Sequence, residues 1–469
     1  MPQAADRRRW VLPATILGSS VGFIDGSVVN VALPAIRTNL GTDLATLQWV
    51  VNGYMLTLAS LILLGGSAGD HFGRRRTFLI GLVGFVAASV ACGLAPGAGW
   101  LIGARLVQGV AAALLTPSSL AIISSTYAGE ARGAAIGTWA AAAAITTALG
   151  PPLGGWLVDA IGWRAIFFIN VPIGALALMF GLNLPADAGT TRGDPIDLGG
   201  GLLAILALGS LSYGLVALGA GNRTTGTVGI AVSLPAIWWF IRTEAHARAP
   251  MMPLDLFRNR TFAGANALTV LLYAALSAAL FMLPLLLVGV HHYSATAAGA
   301  SFLPFSAIMG AGSRWSGRLV TRIGARPQLM LGSGIAAAAY VILGVSGDRS
   351  SYWTGFLPGL TALAAGMTLC IPPLTTTVFD ASPEESSGTA SGINNAAARA
   401  GGLIAIAAIG LAFGDSGMGN ASRVTIIRAY QSVMFGAAVL AALSAITAAL
   451  TISSGARQAP GTFGHGSAS

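Results

Sequence analysis

The sequence contains no lysine; all 25 of its basic residues are arginine. Charge of either sign is scarce. Only 9% of the 469 residues are charged while 54% are hydrophobic, against about 25% charge in an average soluble domain, which excludes an ordinary soluble protein and indicates a polytopic membrane protein. The two cysteines, Cys92 and Cys370, both fall inside apolar runs, so they read as small buried hydrophobes and exclude a disulfide framework. There is no HExxH, no GxxxxGKS/T and no cysteine pair at metal spacing, which argues against a metalloenzyme or an ATP-driven pump. His291 and His292 are adjacent and would point about 100° apart on a helix, so no metal site is expected. Long polar loops are also missing. With no room for a soluble catalytic domain, the chain is not expected to be an enzyme, and any chemistry lies within the membrane. The net charge is +9, but the arginines are scattered between apolar runs rather than gathered in a stripe, so no nucleic-acid partner is expected.

What is present is a long series of apolar runs. Taking about 20 residues as the length that crosses ~30 Å of hydrocarbon, fourteen segments emerge, at 10–34, 47–69, 77–95, 100–127, 134–158, 163–184, 198–218, 227–241, 261–290, 297–317, 328–345, 352–379, 389–413 and 429–452. The eighth is the shortest. The first continues past Asp25 without a small-residue cleavage site, so it is a spanning helix and not a signal peptide. An even count puts both termini on one side. Loops on that side hold sixteen arginines (Arg7–Arg9, Arg74–Arg76, Arg132, Arg192, Arg242, Arg248, Arg258, Arg260, Arg318, Arg322, Arg326 and Arg457) and the opposite loops hold six, which places both termini in the cytoplasm.

An internal repeat appears at a spacing of about 250 residues: GDHFGRR from Gly69 corresponds to VTRIGAR from Val320, with Gly73 matching Gly324. ALP from Ala32 corresponds to MLP from Met282, and GAAIG from Gly133 to GTASG from Gly388. The expected fold is therefore an all-α membrane protein with 14 transmembrane helices. Residues 1–184 form one six-helix bundle, 185–260 an inserted transmembrane pair with its linkers, 261–456 a second six-helix bundle, and 457–469 a disordered cytoplasmic tail. Such repeats build secondary transporters with the substrate site between the halves.

Ionisable groups within the bilayer are costly. Asp25 lies about fifteen residues, or ~22 Å, into the first helix and Arg105 about five residues, or ~8 Å, into the fourth from the opposite face, so the two share a depth. Either they form a static ion pair, or Asp25 binds a proton or a cationic substrate with Arg105 biasing it. Arg399, some 16 Å into the thirteenth helix, meets either an anionic substrate or a helix C-terminus. Asp70 lies at the membrane edge, where a solvated turn carboxylate is the simplest reading, and Asp159 and Asp380 are interfacial. The fifth segment concentrates Gly150, Pro151, Pro152, Gly154 and Gly155 in one and a half turns, which implies a bend and a close contact with a neighbour.

These motifs resemble the major facilitator superfamily and, within it, the fourteen-helix drug:proton antiporter branch. IDGSVVNVALP from Ile24 is similar to that branch's first-helix motif, with Asp25 at its acidic position and Ser27 replacing threonine. GSAGDHFGRRR resembles the superfamily signature between helices two and three, which implies a cytoplasmic gate of Gly66, Asp70, Gly73 and Arg74. There Ala68 and His71 replace a leucine and a basic residue. RLVQGVAAA from Arg105 resembles the fourth-helix motif implicated in proton coupling, with Ala111 in place of a glycine. GPPLGG, with Gly150, Pro151, Gly154 and Gly155, resembles the exporter motif. Thr321 stands where a second-half aspartate would fall, which confines the charge switch to the first half.

The resemblance implies a proton-coupled antiporter, in the cell membrane and monomeric, that exports lipophilic compounds such as antibiotics or dyes by alternating access. It needs no cofactor beyond the proton gradient. Asp25, Arg105, Asn30, Asn394, Asn395 and Arg399 would serve proton coupling and the substrate cavity. The second half lacks a mid-membrane carboxylate, so the substrate is expected to be neutral, anionic or singly cationic. A dedicated exporter of an endogenous metabolite or siderophore, an uptake carrier of the same fold, and a non-transporting sensor or channel remain as alternatives.

Overall fold

The computed structural model describes residues 8–185, 196–383, 386–416 and 422–453. The expected tail, 457–469, lies outside them, as do Arg7, Arg192 and Arg457. Among the described residues the chain is helical throughout. Twelve helices are long and apolar enough to cross a membrane: α1 (Val11–Leu40), α2 (Leu44–Phe72), α3 (Arg74–Gly93), α4 (Ala98–Thr126), α5 (Gly129–Ala160), α7 (Leu198–Gly219), α8 (Arg223–His246), α9 (Arg260–Gly289), α11 (Ala325–Val345), α12 (Tyr352–Asp380), α13 (Ser387–Phe413) and α14 (Arg423–Thr451).

The expected count of fourteen is therefore not reached on length and composition. The sixth segment forms α6 (Ala165–Gly181), which is apolar but short and is interrupted at Ile169. The tenth forms a separate short helix, Ala295–Ala300, and then α10 (Leu303–Ile323), in which Arg314, Arg318 and Arg322 lower the hydropathy. The eighth segment, short by its apolar run, is a helix of 24 residues. Its first turn is polar, and the Asn222 side chain accepts from Thr225 N at 3.1 Å to cap it.

The repeat is visible in the backbone. Single glycines join α2 to α3 and α10 to α11. Gly73 has φ 98 and Gly324 has φ 82, in the region that glycine alone enters freely. α1 and α9 each run for 30 residues, and each holds an internal proline, Pro34 and Pro284 respectively.

The end of the bundle where α1 begins and α14 ends is the near side; Thr261 of α9 donates there to Thr451 O of α14 at 3.4 Å. On the opposite, far side the largest apolar core runs across both halves, joining Val28, Leu33 and Ile36 of α1 to Leu283 and Leu286 of α9. The near-side core of Val11, Phe78 and Ile123 is built from the first half. In line with this, α5 is bare along its near-side half, where only Ala135 is buried, and packed from Gly150 onward. Only Ser316 of α10 is buried. Between α5 and α10 the two halves meet on the far side and part on the near side, whereas α2 and α13 remain packed together into the near-side half. α7 and α8 pack together, and α7 lies along both α2 and α13.

Candidate functional site

Helices α2 and α4 touch backbone to backbone. A Cβ on Gly65 would lie 1.9 Å from Ala113 O, and one on Gly109 would lie 2.3 Å from Tyr54 O, so these glycines are needed for the approach. It brings the faces bearing Tyr54 and Arg105 together, with α1 against α4.

There Asp25 and Arg105, 0% and 1% exposed, form an ion pair through Arg105 Nη1 and Asp25 Oδ2. The equal depth read from the sequence is thus realised as direct contact. Gln108 completes the cluster: its Oε1 accepts from Arg105 Nη1 at 2.7 Å and its Nε2 donates to Asp25 Oδ1 at 2.9 Å. Arg105 Nε donates to Val50 O at 3.1 Å, and the guanidinium stacks 4.4 Å above the Tyr54 ring. Both oxygens of Asp25 therefore receive a charged or amide donor. Asn52 is wholly buried beside this region with neither amide atom partnered.

The second-half candidates are placed differently. Asn394 donates to Thr269 Oγ1 at 2.7 Å and to Asn266 Oδ1 at 3.2 Å, both on α9, so it ties α13 to α9. Asn395 is exposed and turns back to Ser391 O at 3.0 Å. Arg399, one turn further along that face, is half-buried and lies within electrostatic range of Tyr54 and of Tyr273 on α9. Tyr54 is thus within electrostatic range of both the Asp25–Arg105 cluster and Arg399. Asn30, on α1, has its Oδ1 buried without a partner.

At the near-side turn, Arg74 Nη2 pairs with Asp70 at 2.9 Å and Arg74 Nη1 donates to Ala121 O at 3.4 Å. Gly66 faces Pro117, and Gly69 faces Ser118. These partners all belong to the first half. Asp70 is 61% exposed, and a pair so exposed contributes only about 0–1 kcal/mol.

On the far side the glycines of α5 meet two neighbours. A Cβ on Gly150 would lie 1.8 Å from Ser27 Oγ and one on Gly154 2.3 Å from Val28 Cγ2, both on α1. Across the halves, one on Gly155 would lie 2.1 Å from Ala295 O, and one on Gly299 2.1 Å from Pro151 O. Beside this contact Asp159 accepts from Ala295 N at 3.1 Å, Thr296 N at 2.7 Å and Thr296 Oγ1 at 2.6 Å. Read from the sequence as interfacial, Asp159 is exposed near the end of α5, where it caps the short helix Ala295–Ala300 and fastens one half to the other. Replacing it with asparagine puts an NH2 where a carboxylate oxygen receives N–H donors, at about 1–3 kcal/mol. Asp159→Asn is expected to raise roughly tenfold the maleimide labelling of a cysteine introduced at Val158, which lines a far-side cavity of about 320 Å³; an unchanged rate would remove the latch role.

Sequence reasoning missed Gln108, Tyr54 and the partners of Asp159. Gln108 was within reach, since it follows Arg105 by three residues and shares its helix face. The others are contacts between distant segments and leave no local signal.

Comparison with known proteins gives a consistent picture. Residues 15–406 match the sequence model described as Major Facilitator Superfamily. The chain is 38% identical over 409 residues to the multidrug resistance protein Stp of Mycobacterium tuberculosis, covering 85% of this chain and 74% of that one. It is 34% identical over 411 residues to the tetracenomycin C resistance and export protein of Streptomyces glaucescens, with 86% and 76% covered. Among solved structures, a bacterial homolog of the human lysosomal transporter Spinster superposes with a TM-score of 0.67 at 17% identity, covering 95% of this chain and 97% of that one.

Proposed function

Because the chain belongs to the major facilitator superfamily, and is thus a membrane transporter and not an enzyme, we propose that it is a proton-coupled exporter of lipophilic small molecules. The relatives that carry resistance and export in their names support the direction. The observation that carries the proton coupling is the buried Asp25–Arg105–Gln108 cluster. As a pair, Asp25 and Arg105 are neutral overall. A proton on Asp25 leaves the Arg105 charge uncompensated at membrane depth, and an unpaired buried charge costs about 3–5 kcal/mol. That energy biases the two halves toward an arrangement in which the charge is solvated or paired again, which is the lever alternating access requires.

In this reading α6 and α10 also cross the bilayer, giving the fourteen-helix branch, with two six-helix halves and α7 and α8 inserted between them. The termini face the cytoplasm, so the near side is the cytoplasmic one. Asp70 and Arg74 close it when the halves rock together there. The protein acts in the cell membrane as a monomer, draws on the proton gradient and needs no bound cofactor.

The experiment is drug-dependent proton movement in inverted vesicles carrying the protein. Addition of exported compounds from a panel should collapse a preformed pH gradient. No proton movement with any compound that the cells demonstrably extrude would overturn the coupling. Arg105→Lys keeps the charge but loses the planar fork that serves Gln108, Asp25 and Val50 O together. It is expected to slow export at least about tenfold, given ~1.5–3 kcal/mol per charged hydrogen bond; wild-type rates would reduce Arg105 to a packing role.

A further inference from the structure

α10 carries a row of charge that the apolar runs concealed. Arg314, Arg318 and Arg322 recur every fourth residue, so they lie along one face of the helix. All three are exposed, and among the described residues none of their guanidinium groups has a hydrogen-bond or ion-pair partner. The opposite face is accounted for. A Cβ on Gly312 would touch Thr368 Cγ2 of α12, and Gln328 of α11 donates to Ser316 Oγ at 2.7 Å. Arg314 stands about 200° from Gly312, and therefore points away from α11 and α12.

Depth decides what this face meets. Arg314 is eleven residues, or ~16 Å, from the far-side start of α10, near the middle of a ~30 Å core. A charged guanidinium at that depth does not face hydrocarbon; it faces protein or a water-filled space. The space available is the near-side opening between the halves, which the bare half of α5 borders. Arg399 lies on the face of α13 that meets α2 across the halves, where the neighbouring Gly392 faces Leu63 and Gly402 faces Met55, and Arg399 likewise has no acceptor among the described residues. Asp25, the carboxylate at this depth, is already matched by Arg105. Arg314 and Arg399 are thus two mid-membrane guanidiniums between the halves without a counter-ion among the described residues, with Arg318 and Arg322 continuing the row from Arg314 toward the near side.

We propose that the transported substrate is an organic anion, an aromatic or otherwise apolar body bearing a carboxylate, phenolate or enolate, which enters along Arg322 and Arg318 and is held by Arg314 and Arg399. This rests on the exporter reading above and narrows its substrate. The anion supplies the missing counter-charge, and Tyr273, within electrostatic range of Arg399, offers a ring for stacking of the apolar body.

The test uses fluorescein and rhodamine 123, which share a tricyclic skeleton and differ in charge, and reads their binding to the purified full chain in phosphatidylcholine nanodiscs by fluorescence anisotropy. Fluorescein should bind at least tenfold more tightly than rhodamine 123. Arg314→Gln and Arg399→Gln should each weaken it about tenfold, while Arg399→Lys stays within threefold of wild type. Arg314 is exposed, so its variant reports even if the Arg399 variant is poorly folded. Equal or tighter binding of rhodamine 123, or fluorescein binding indifferent to both glutamine variants, overturns the proposal. So does loss of fluorescein binding when phosphatidylglycerol is added to the nanodiscs, which would assign the arginines to lipid headgroups. If the arginine-dependent binding holds but cells carrying the protein extrude neither dye nor drug, the exporter reading fails and the anion site stands.

Discussion

Asp25→Asn is expected to abolish uphill export while leaving downhill exchange of the same compound measurable. Asparagine retains an oxygen for the Arg105 donors, but it takes up no proton in the physiological range. The neutral-to-charged step that drives the rearrangement is then gone, whereas the substrate cavity is intact. Extrusion against a gradient should fall to the level of cells lacking the protein, and substrate-for-substrate exchange in liposomes should continue. Loss of the Asp25 charge also leaves Arg105 partly uncompensated, which costs up to about 3–5 kcal/mol, so the comparison is made at matched amounts of folded protein. Uphill export at the wild-type rate would show the ion pair to be static scaffolding.

The second large effect is steric. Gly155→Leu, or Gly299→Leu, puts a side chain where α5 and the short helix Ala295–Ala300 cross, 2.1 Å from a backbone carbonyl in each case. Overpacking of a core costs about 1–3 kcal/mol when side chains can give way; here the obstructing atoms are main chain and cannot. The far side should no longer close. Spin labels at Thr38 and Ile426, which both line the far-side cavity, should report a single long distance in place of a closed population, and transport should stop. Retention of the short distance in either variant would mean that the halves meet elsewhere. The same leucine at Gly103, where no atom lies within 4 Å of an added Cβ, serves as the control.

Much of this was legible in the sequence because membranes impose one-dimensional rules. Segment length gave the helices, and depth arithmetic put Asp25 level with Arg105. The matched glycines at 73 and 324 signalled the repeat, and the Gly-Pro cluster of α5 signalled a tight crossing. What escaped was of two kinds. Contacts that join remote segments, such as Asp159 with Thr296 or Tyr54 over Arg105, depend on the tertiary arrangement alone. Amphipathic stretches defeat an apolar scan: ending the tenth segment at residue 317 assigned Arg318 and Arg322 to a loop, and the i, i+4 row they form with Arg314 disappeared. The same polarity is why α10 falls short of the span criterion that twelve other helices meet.

Helix α7 lies along both α2 and α13. Gly201 meets Leu64, and Gly219 sits against the backbone of Gly410, where an added Cβ would come within 2.6 Å of its Cα. One flank of the bundle is thereby bound like a book along its spine, and the opposite flank, between α5 and α10, is the fore-edge. If the covers swing from the spine, as the alternating access proposed above requires, a solute dissolved in the near leaflet meets a side door along the fore-edge, and the arginines of α10 stand at its jamb.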